Sequence, residues 1–438
     1  MLLKTDRRKF LKQSAAAGSL GACSFAAKNV AASPSATDKL NIGVIGVGNR
    51  GASNLAEIRS ENIMALCDVD RRYLNEMSAR YPSAKTFSDF RELIRHPELD
   101  AVVISTPDHT HYHAAMMAMG RGLHVYCEKP LAHSIWELRE MAAAAERYKV
   151  VTQTGNQHHA SAGYRRVVEI VQAGAIGHVG EVHAWTNRPI WPQGVERPIR
   201  GQAIPEGLNW NAWLGPAPSR PYDGIYHPSG WRGWFDFGCG AIGDMGPHLL
   251  DPVVWALNLP LPATIEAESS EVNDETYPTW SVIRFEFVLN ERQSPLRLCW
   301  YDGDKQPPES LTGIKRLPPN GVLFMGERAN LFAPQYGGAP IVIPHEPDAS
   351  IELPEPYLPQ SVGHHREWVE ACKRQGKTSC DFAYGANLTE ICLLGNIALR
   401  SGKTIKWLAG QMQASNGIEV SHLVKREYRD GWDNQSNE

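Results

Sequence analysis

The sequence predicts an α/β protein with two domains, and three observations support this prediction. The chain has 438 residues, 42% hydrophobic and 21% charged, which is ordinary composition for a globular protein with a full core. At this length one hydrophobic core rarely suffices. Strands and helices alternate over residues 40–155, whereas residues 156–410 show alternating strand patterns with helical segments between and after them. Residues 411–438 are polar and are expected to form a tail.

The first 32 residues form a basic leader. They hold six Lys and Arg side chains against one acid, so in a chain with net charge −4 the remainder is acidic. Because the rest of the chain is acidic, it lacks the basic surface that binds nucleic acids and anionic membranes. Neither is therefore expected as a partner. No run of about 18 uninterrupted apolar residues occurs, so no helix is expected to span a bilayer.

The leader resembles a twin-arginine export signal. Arg7 and Arg8 precede Lys-Phe-Leu-Lys and then a run of Ala, Gly, Ser and Leu. Small residues at 30–32 suit ordinary signal-peptide cleavage, which we favour slightly. Residues 20–23 instead resemble a lipoprotein box that would leave Cys23 acylated. Either route predicts a periplasmic protein that is exported in its folded state.

A glycine-rich turn follows the first predicted strand. From Leu40 an aliphatic strand runs into Gly46-x-Gly48-x-x-Gly51. Such a turn lets the backbone approach a pyrophosphate, whose charge is met by amides at the next helix N-terminus. A helix over 52–60 and a second strand over 63–67 follow. This order predicts a dinucleotide-binding site.

Asp68 ends the second strand, at the distance from the turn where a ribose-binding acid is expected. A carboxylate there accepts hydrogen bonds from the adenosine ribose hydroxyls and repels a 2′-phosphate. NAD is therefore the expected cofactor. Arg71 and Arg72 follow closely and leave NADP as the alternative.

The alternation continues to the tripeptide Glu128-Lys129-Pro130. A helix is predicted to end at Ile94, with strands over 101–105 and 124–127 after it. The loop Thr106-Pro107 leads into three alternating histidines at 109, 111 and 113. Residues two apart on a helix do not share a face, so loop or cap roles are favoured over a metal site. The seven cysteines outside the leader form no C-x-x-C pair, and no metal is expected.

These residues together resemble the Gfo/Idh/MocA family of nicotinamide-dependent sugar oxidoreductases. Five landmarks stand in the family's order between residues 40 and about 408: the glycine turn, Asp68, the Thr106-Pro107 loop with His111, Glu128-Lys129-Pro130, and Asp244-x-x-x-His248. The resemblance implies an N-terminal Rossmann dinucleotide-binding domain plus a C-terminal α/β domain with an open, mostly antiparallel sheet. It also implies homo-oligomers, dimers or tetramers, assembled through that sheet.

The resemblance implies a cofactor site and a catalytic site. Oxidising an alcohol requires a base for the hydroxyl proton and a cation or donor for the developing alkoxide. Lys129 suits the second task, and the resemblance makes His248 the general base and Asp244 a hydroxyl-binding partner. Their i, i+4 spacing would direct Asp244 and His248 into one cleft from a helix. The cofactor residues are Gly46, Gly48, Asn49, Arg50, Gly51, Asp68, Thr106, Pro107, His111, Glu128 and Lys129.

Tryptophans are concentrated just before the catalytic segment, six of the 13 lying between 185 and 234. Flat apolar rings bordered by charged groups suit the C–H face of a sugar. Trp210 and Trp213 are interpreted as loop packing. The candidate substrate contacts, besides Asp244 and His248, are Arg232, Trp234, Asn156, Gln157 and His158.

The predicted function is an NAD(P)-dependent oxidoreductase acting on a secondary hydroxyl of a sugar or glycoside. An exported enzyme meets no free NAD pool, so the cofactor is expected to be tightly bound. The alternative is an NAD-dependent glycosidase that oxidises its sugar transiently and eliminates the aglycone. The resemblance implies that this branch alters the lysine of Glu-Lys-Pro, and Lys129 is intact. A non-catalytic sugar-binding surface protein is the minor alternative.

Overall fold

The first half of the chain folds around a parallel sheet, as predicted. The structure, a computed structural model, describes residues 39–289, 295–312, 316–346 and 348–433. The leader, with Arg7, Arg8 and Cys23, lies outside these residues. Six parallel strands stand side by side in the order β3-β2-β1-β4-β5-β6. Their bounds are β1 (Asn41–Ile45), β2 (Asn62–Cys67), β3 (Lys85–Phe87), β4 (Ala101–Ile104), β5 (His124–Glu128) and β6 (Thr152–Gly155).

Helices connect these strands, and side chains at their N-termini fix where several of them begin. The side chain of Asp70 accepts a hydrogen bond from the first turn of α2, and Asp89 does the same for α3. Ser134 and Glu137 form a reciprocal capping box at the start of α5. The helices are α1 (Arg50–Glu57), α2 (Arg71–Arg80), α3 (Phe90–Ile94), α4 (His111–Gly120) and α5 (Ile135–Tyr148).

The second sheet has nine strands and is mostly antiparallel, as the resemblance implies. Its order is β13-β12-β11-β7-β10-β9-β8-β14-β15, and only the central pair β7–β10 is parallel among the described strands. The strands are β7 (Val179–Trp185), β8 (Thr264–Ser269), β9 (Ser281–Phe287), β10 (Leu296–Tyr301), β11 (Gly321–Gly326), β12 (Ala329–Pro334), β13 (Ile341–Pro344), β14 (Ile405–Leu408) and β15 (Gln413–Ala414).

The long helix α12 lies at the centre of the main core, against α5, α8 and the inner face of the second sheet. By length and composition it is apolar enough to cross a membrane, but 83% of its apolar window is buried inside the protein, as in the core helix of a globular domain. The side chain of Asp381 caps its start. The later helices are α6 (Ala162–Gln172), α7 (Trp210–Leu214), α8 (Gly240–Leu249), α9 (Asp251–Leu257), α10 (Glu309–Thr312), α11 (His364–Arg374), α12 (Phe382–Ser401) and α13 (Ser421–Val424).

Residues 411–433 pack against the rest of the protein. The expectation that they form a polar tail is therefore wrong for this segment. Trp432 is buried, and its backbone carbonyl faces Nε2 of His113 at 3.2 Å. Arg426 donates to the buried carboxylate of Glu137 at 2.9 Å. Polar side chains therefore attach this segment to the parallel-sheet domain, and composition alone does not reveal such long-range partners.

Candidate active site

A cavity of about 430 Å³ opens at the carboxyl ends of β1, β2, β4 and β5. Parallel sheets of this kind bind ligands at that edge. We call the lining residues between 45 and 130 the Rossmann wall and those from 212 onward the far wall. Twelve of the predicted site residues line the cavity: Gly46, Gly48, Asn49, Arg50, Asp68, Thr106, Pro107, Glu128, Lys129, Arg232, Asp244 and His248.

The glycine turn of the Rossmann wall has no room for side chains. Gly46 has a φ of +79°, and an added Cβ would lie 2.7 Å from the carbonyl oxygen of Ser105. A Cβ on Gly51, which lies behind the lining, would stand 1.8 Å from the carbonyl oxygen of Gly46. The turn leads directly into α1, so the amides of Asn49 and Arg50, two residues that line the cavity, stand at a helix N-terminus. This arrangement fits the pyrophosphate of a dinucleotide.

Asp68 holds the same turn in place. Its Oδ2 accepts hydrogen bonds from the amides of Val47 and Gly48 at 2.9 and 3.3 Å. Its Oδ1 accepts from the amide of Asp70 at 2.9 Å. Burial raises the pKa of Asp68, although these amides oppose the rise. The carboxylate therefore stands at the cavity with its orientation fixed, where the ribose of NAD is expected.

Arg72, one of the two arginines that leave NADP as an alternative, is engaged elsewhere. Its guanidinium donates to both carboxylate oxygens of Asp70, with Nη2 to Oδ2 at 2.6 Å. His227 of the far wall lies 3.0 Å from the same Oδ2. Burial opposes ionisation of Asp70, but the bonds from Arg72 and His227 outweigh it and lower the pKa to about 2. Asp70 thus ties the ribose end of the Rossmann wall to the far wall.

Glu128 is a structural member of the Rossmann wall. Its Oε1 accepts from Asn54 on α1 at 2.9 Å and from Gln157 at 2.8 Å. Oδ1 of Asn54 in turn lies 3.0 Å from Nε2 of His365 on α11. Burial raises the pKa of Glu128. The network fixes the end of β5 and therefore the backbone from which Lys129 projects.

Lys129 and Asp244 form an ion pair inside the cavity. The Lys129 Nζ lies 3.0 Å from Oδ1 of Asp244 and 2.6 Å from its backbone oxygen. Arg232 donates to the same Oδ1 at 3.3 Å, and Oδ2 accepts no hydrogen bond from the described residues. Burial opposes ionisation of Asp244, but the two cations outweigh it and hold its pKa well below the usual range.

His248 stands one turn after Asp244 on α8, as the i, i+4 spacing predicts. Its ring is buried, and its Nδ1 has no hydrogen-bond partner among the described residues. Burial and the nearby Lys129 lower the pKa of His248 well below its ordinary value. The imidazole is therefore held in its neutral form, in which one ring nitrogen can accept a proton.

His111, predicted to contact the cofactor, is buried behind the Rossmann wall. Its two ring nitrogens face the backbone oxygens of Pro130 and Thr106, at 3.0 and 2.8 Å. His109 similarly faces two carbonyls, and Nε2 of His113 faces one. His111 thus holds the loop after β4 against the end of β5.

The three candidates after β6 are not among the described residues that line the cavity. Gln157 bonds Glu128, as described above. His158 packs its ring against His248 at 5.3 Å and against Tyr336 at 4.6 Å between ring centroids. Asn156 is fully buried, and neither amide atom has a partner among the described residues.

Arg232 and Trp234 lie in different environments, although both were predicted to contact substrate. Arg232 lines the cavity, while Trp234 is fully buried in an aromatic cluster with Trp213 and Tyr226. A 3₁₀ turn over 230–233 ends in extended backbone at Trp234, so the second side chain turns inward. Trp234 is therefore a core residue. Trp210 and Trp213 stack at 4.6 Å as the predicted loop packing, and Trp213 also borders the cavity.

Several lining residues were not among the candidates predicted from the sequence. They include Asp108, His227, Tyr336 and Trp432. Asp108 accepts from the amide of Cys239 immediately before α8, and burial raises its pKa to about 7. Its position after Thr106-Pro107 was a usable signal, whereas no local pattern marks the other three.

The comparisons agree with this geometry. The family model for the oxidoreductase family, NAD-binding Rossmann fold, matches residues 40–156, and that for its C-terminal alpha/beta domain matches residues 165–291. Together they cover more than half of the chain. The protein belongs to the Gfo/Idh/MocA oxidoreductase family, and its N-terminal domain is the family's NAD-binding Rossmann fold.

Two relatives illustrate the range of activities near this chain. It is 31% identical over 141 residues to the myo-inositol 2-dehydrogenase of Thermotoga maritima, which is 32% of this chain and 42% of the relative. It is 33% identical over 202 residues to a glycosyl hydrolase family 109 protein of Solibacter usitatus, 40% of this chain and 44% of the relative. The matched stretches span less than half of either relative.

Solved structures share the fold over a longer span. The WlbA dehydrogenase of Bordetella pertussis, in complex with NADH and UDP-GlcNAcA, superimposes with a TM-score of 0.61 at 16% identity over 84% of this chain and 99% of that one. Levoglucosan dehydrogenase, in complex with NADH and L-sorbose, gives 0.57 at 17% identity over 84% and 98%. At these identities the likeness establishes the fold.

Proposed function

We propose that the protein oxidises a secondary hydroxyl of a sugar or glycoside with a tightly held NAD. The observation that carries this proposal is the meeting of Lys129, Asp244 and His248 in the cavity that also holds the glycine turn. Two of these groups come from one helix and the third from the end of β5. Lys129 is far from Asp244 and His248 in the sequence, so the fold brings the three side chains together.

Each group suits one part of the reaction. His248, held neutral by burial, accepts the hydroxyl proton. Lys129 donates to the oxygen as negative charge develops on it. Asp244 stays ionised and offers Oδ2 to a neighbouring hydroxyl. Bound NAD supplies the hydride acceptor.

Enclosure by the far wall supports tight binding of the dinucleotide. His227 reaches Asp70 next to the ribose acid, and the backbone of Asn209 pairs with that of Val69. Trp432 closes the side near α3, where its ring lies 6.1 Å from that of Phe90. These contacts hold the far wall over the nucleotide end of the cavity, as tight binding requires.

The test uses the purified protein with no added nucleotide, mixed with free sugars and aryl glycosides. The near-ultraviolet band of reduced nicotinamide and aglycone release are followed together. Nicotinamide reduction without aglycone release is the expected result. Protein that carries no nucleotide, or whose bound nucleotide no sugar reduces, would contradict the proposal.

The second candidate is a glycosidase that oxidises its substrate only transiently. The relatives named as family 109 glycosyl hydrolases favour it. In such a reaction the hydride removed from the sugar returns to it after elimination of the aglycone and addition of water. Aglycone release without net nicotinamide reduction would identify this reaction. The intact Lys129 favours the dehydrogenase.

We propose further that the protein is exported through the twin-arginine route. The support is the sequence Arg7-Arg8-Lys-Phe-Leu-Lys and the small-residue run after it. Replacing both arginines by lysine should retain the protein in the cytoplasm in cell fractionation. A periplasmic double variant would contradict the proposal. Labelling with a radioactive fatty acid tests whether Cys23 is acylated.

A further inference from the structure

A cluster of three metal-ligating side chains lies on the outer face of the second sheet, away from the active-site cavity. Glu181 and His183 are two residues apart on β7, so their side chains point to the same face of the sheet. Cys299 on β10 is the direct register partner of His183 across the parallel pair. One ligand atom from each residue lies within 4.8 Å of the other two.

His183 provides an independent sign that a ligand belongs here. Its side chain is 1% exposed, and its Nε2 has no hydrogen-bond partner among the described residues. The nearest acid, Oε1 of Glu181, is 3.5 Å away, too far for a strong hydrogen bond. A buried polar nitrogen without a partner is costly, and a cation between these groups would satisfy it.

Tyr301 orients the imidazole for ligation. Its hydroxyl lies 3.1 Å from Nδ1 of His183, two residues beyond Cys299 on the same face of β10. The tautomer that donates from Nδ1 to Tyr301 leaves the lone pair on Nε2, which lies 3.5 Å from Oε1 of Glu181. Metal-binding histidines are commonly fixed by such a second hydrogen bond.

The charges around the cluster suit a divalent cation. Cys299 as thiolate and Glu181 as carboxylate together neutralise two positive charges. The exposed Arg297 lies 3.9 Å from Oε1 of Glu181, which is a long and weak contact that leaves the carboxylate available. Cysteine, histidine and glutamate as one set are typical ligands of zinc.

We propose that Glu181, His183 and Cys299 bind one zinc ion on the face of the second sheet. Zn–N and Zn–S bonds of about 2.0–2.3 Å require ligand atoms roughly 3.5 Å apart, which small side-chain rotations achieve from the observed spacing. Three protein ligands leave a fourth position for water. The ion would join the two central strands of the sheet, β7 and β10, without touching the cavity.

The experiment uses untagged, full-length protein carrying its dinucleotide, treated with a chelator and then dialysed against zinc. We expect about one zinc per chain by metal analysis. The variants His183→Gln and Cys299→Ser should each lose it, and Glu181→Gln should weaken binding at least about tenfold. Tyr301→Phe should weaken it by about 10- to 100-fold. The exposed His345 lies outside the cluster, so His345→Gln should bind as the unaltered protein does.

Cobalt gives a spectroscopic test on the unaltered protein, which is valid even if the variants fail to fold. Unaltered protein loaded with cobalt should show a thiolate-to-cobalt absorption band in the near ultraviolet in the difference spectrum, and Glu181→Gln, whose side chain is partly exposed, should shift it. Absence of stoichiometric zinc, cobalt binding without the thiolate band, or full zinc content in Cys299→Ser would overturn the proposal.

Discussion

The two walls of the active-site cavity are built in different ways. Most residues of the Rossmann wall end a strand of one parallel sheet or stand in the connection that follows it, so neighbours in space come from regularly repeated positions in the chain. The far wall combines residues of α7, of the loop over 227–232 and of α8 with Tyr336 and Trp432. Short sequence motifs therefore predict most of the Rossmann wall, whereas most of the far wall depends on packing between residues distant in the sequence. The predictions below test this difference.

The largest effect is expected where the two walls meet. Lys129→Met removes the cation that pairs with Asp244 and faces the reacting oxygen. Turnover should fall by between about 10² and 10⁴ while the dinucleotide stays bound, because the glycine turn is untouched. Steady-state rates measure turnover, and the absorbance of bound nucleotide measures retention of the dinucleotide. The exposed Lys377 provides a matched control, since Lys377→Met should leave turnover unchanged. Unaltered turnover in Lys129→Met would remove its catalytic role.

The next effect isolates the Rossmann wall. Gly51→Ala places a Cβ 1.8 Å from the carbonyl oxygen of Gly46, so the turn must shift. We expect loss of most bound dinucleotide and a decrease of about 1–3 kcal/mol in the free energy of unfolding. Nucleotide content after purification and urea titration check this. Gly180→Ala, whose Cβ meets nothing within 4 Å, is the control and should retain its nucleotide.

A smaller effect should separate two residues of the far-wall region that the sequence grouped together. Arg232→Ala removes a cation at Asp244 and should raise KM and lower kcat, each by roughly tenfold. Trp234→Phe should leave both constants unchanged and lower the melting temperature, because Trp234 is fully buried outside the cavity. A large KM change in Trp234→Phe would place it at the substrate after all.

The smallest effect is a pH dependence of stability from histidines that join the later chain to the first domain. Burial lowers the pKa of His113 and of His365, each to about 4. Both are neutral in the folded protein but bind protons in the unfolded chain below about pH 6.5. The free energy of unfolding should therefore fall as pH drops from about 6.5 to about 4. Urea titrations at several pH values measure this, and a smaller decline is expected in His113→Gln. An equally steep decline in that variant would exclude His113 as a cause.

The parallel-sheet domain and its motifs could be predicted because each signal is short. A glycine turn, an acid after the next strand and a tripeptide after β5 each need only neighbouring residues. The i, i+4 pair Asp244 and His248 was predictable for the same reason, since one helix carries both.

Apart from Arg232, Asp244 and His248, the far wall could not be predicted at this level. Trp432 meets His113 across more than 300 positions, and composition classed its segment as a tail. Trp234 was misplaced because a single 3₁₀ turn reverses the direction of side chains two residues apart. Tyr336 adopts a left-handed backbone conformation, with φ 60°, that nothing in its side chain favours. Such positions are decided by the completed fold.

The place of Trp432 in the far wall makes one side of the cavity depend on the last part of the described chain. Among the described residues that line the cavity it stands last in the sequence, so that side is complete only when residues 411–433 are packed in place. The ion pair of Arg426 with Glu137 holds this segment on the first domain, and neither of these two residues lines the cavity. The shape of the cavity is therefore set in part by a contact outside it.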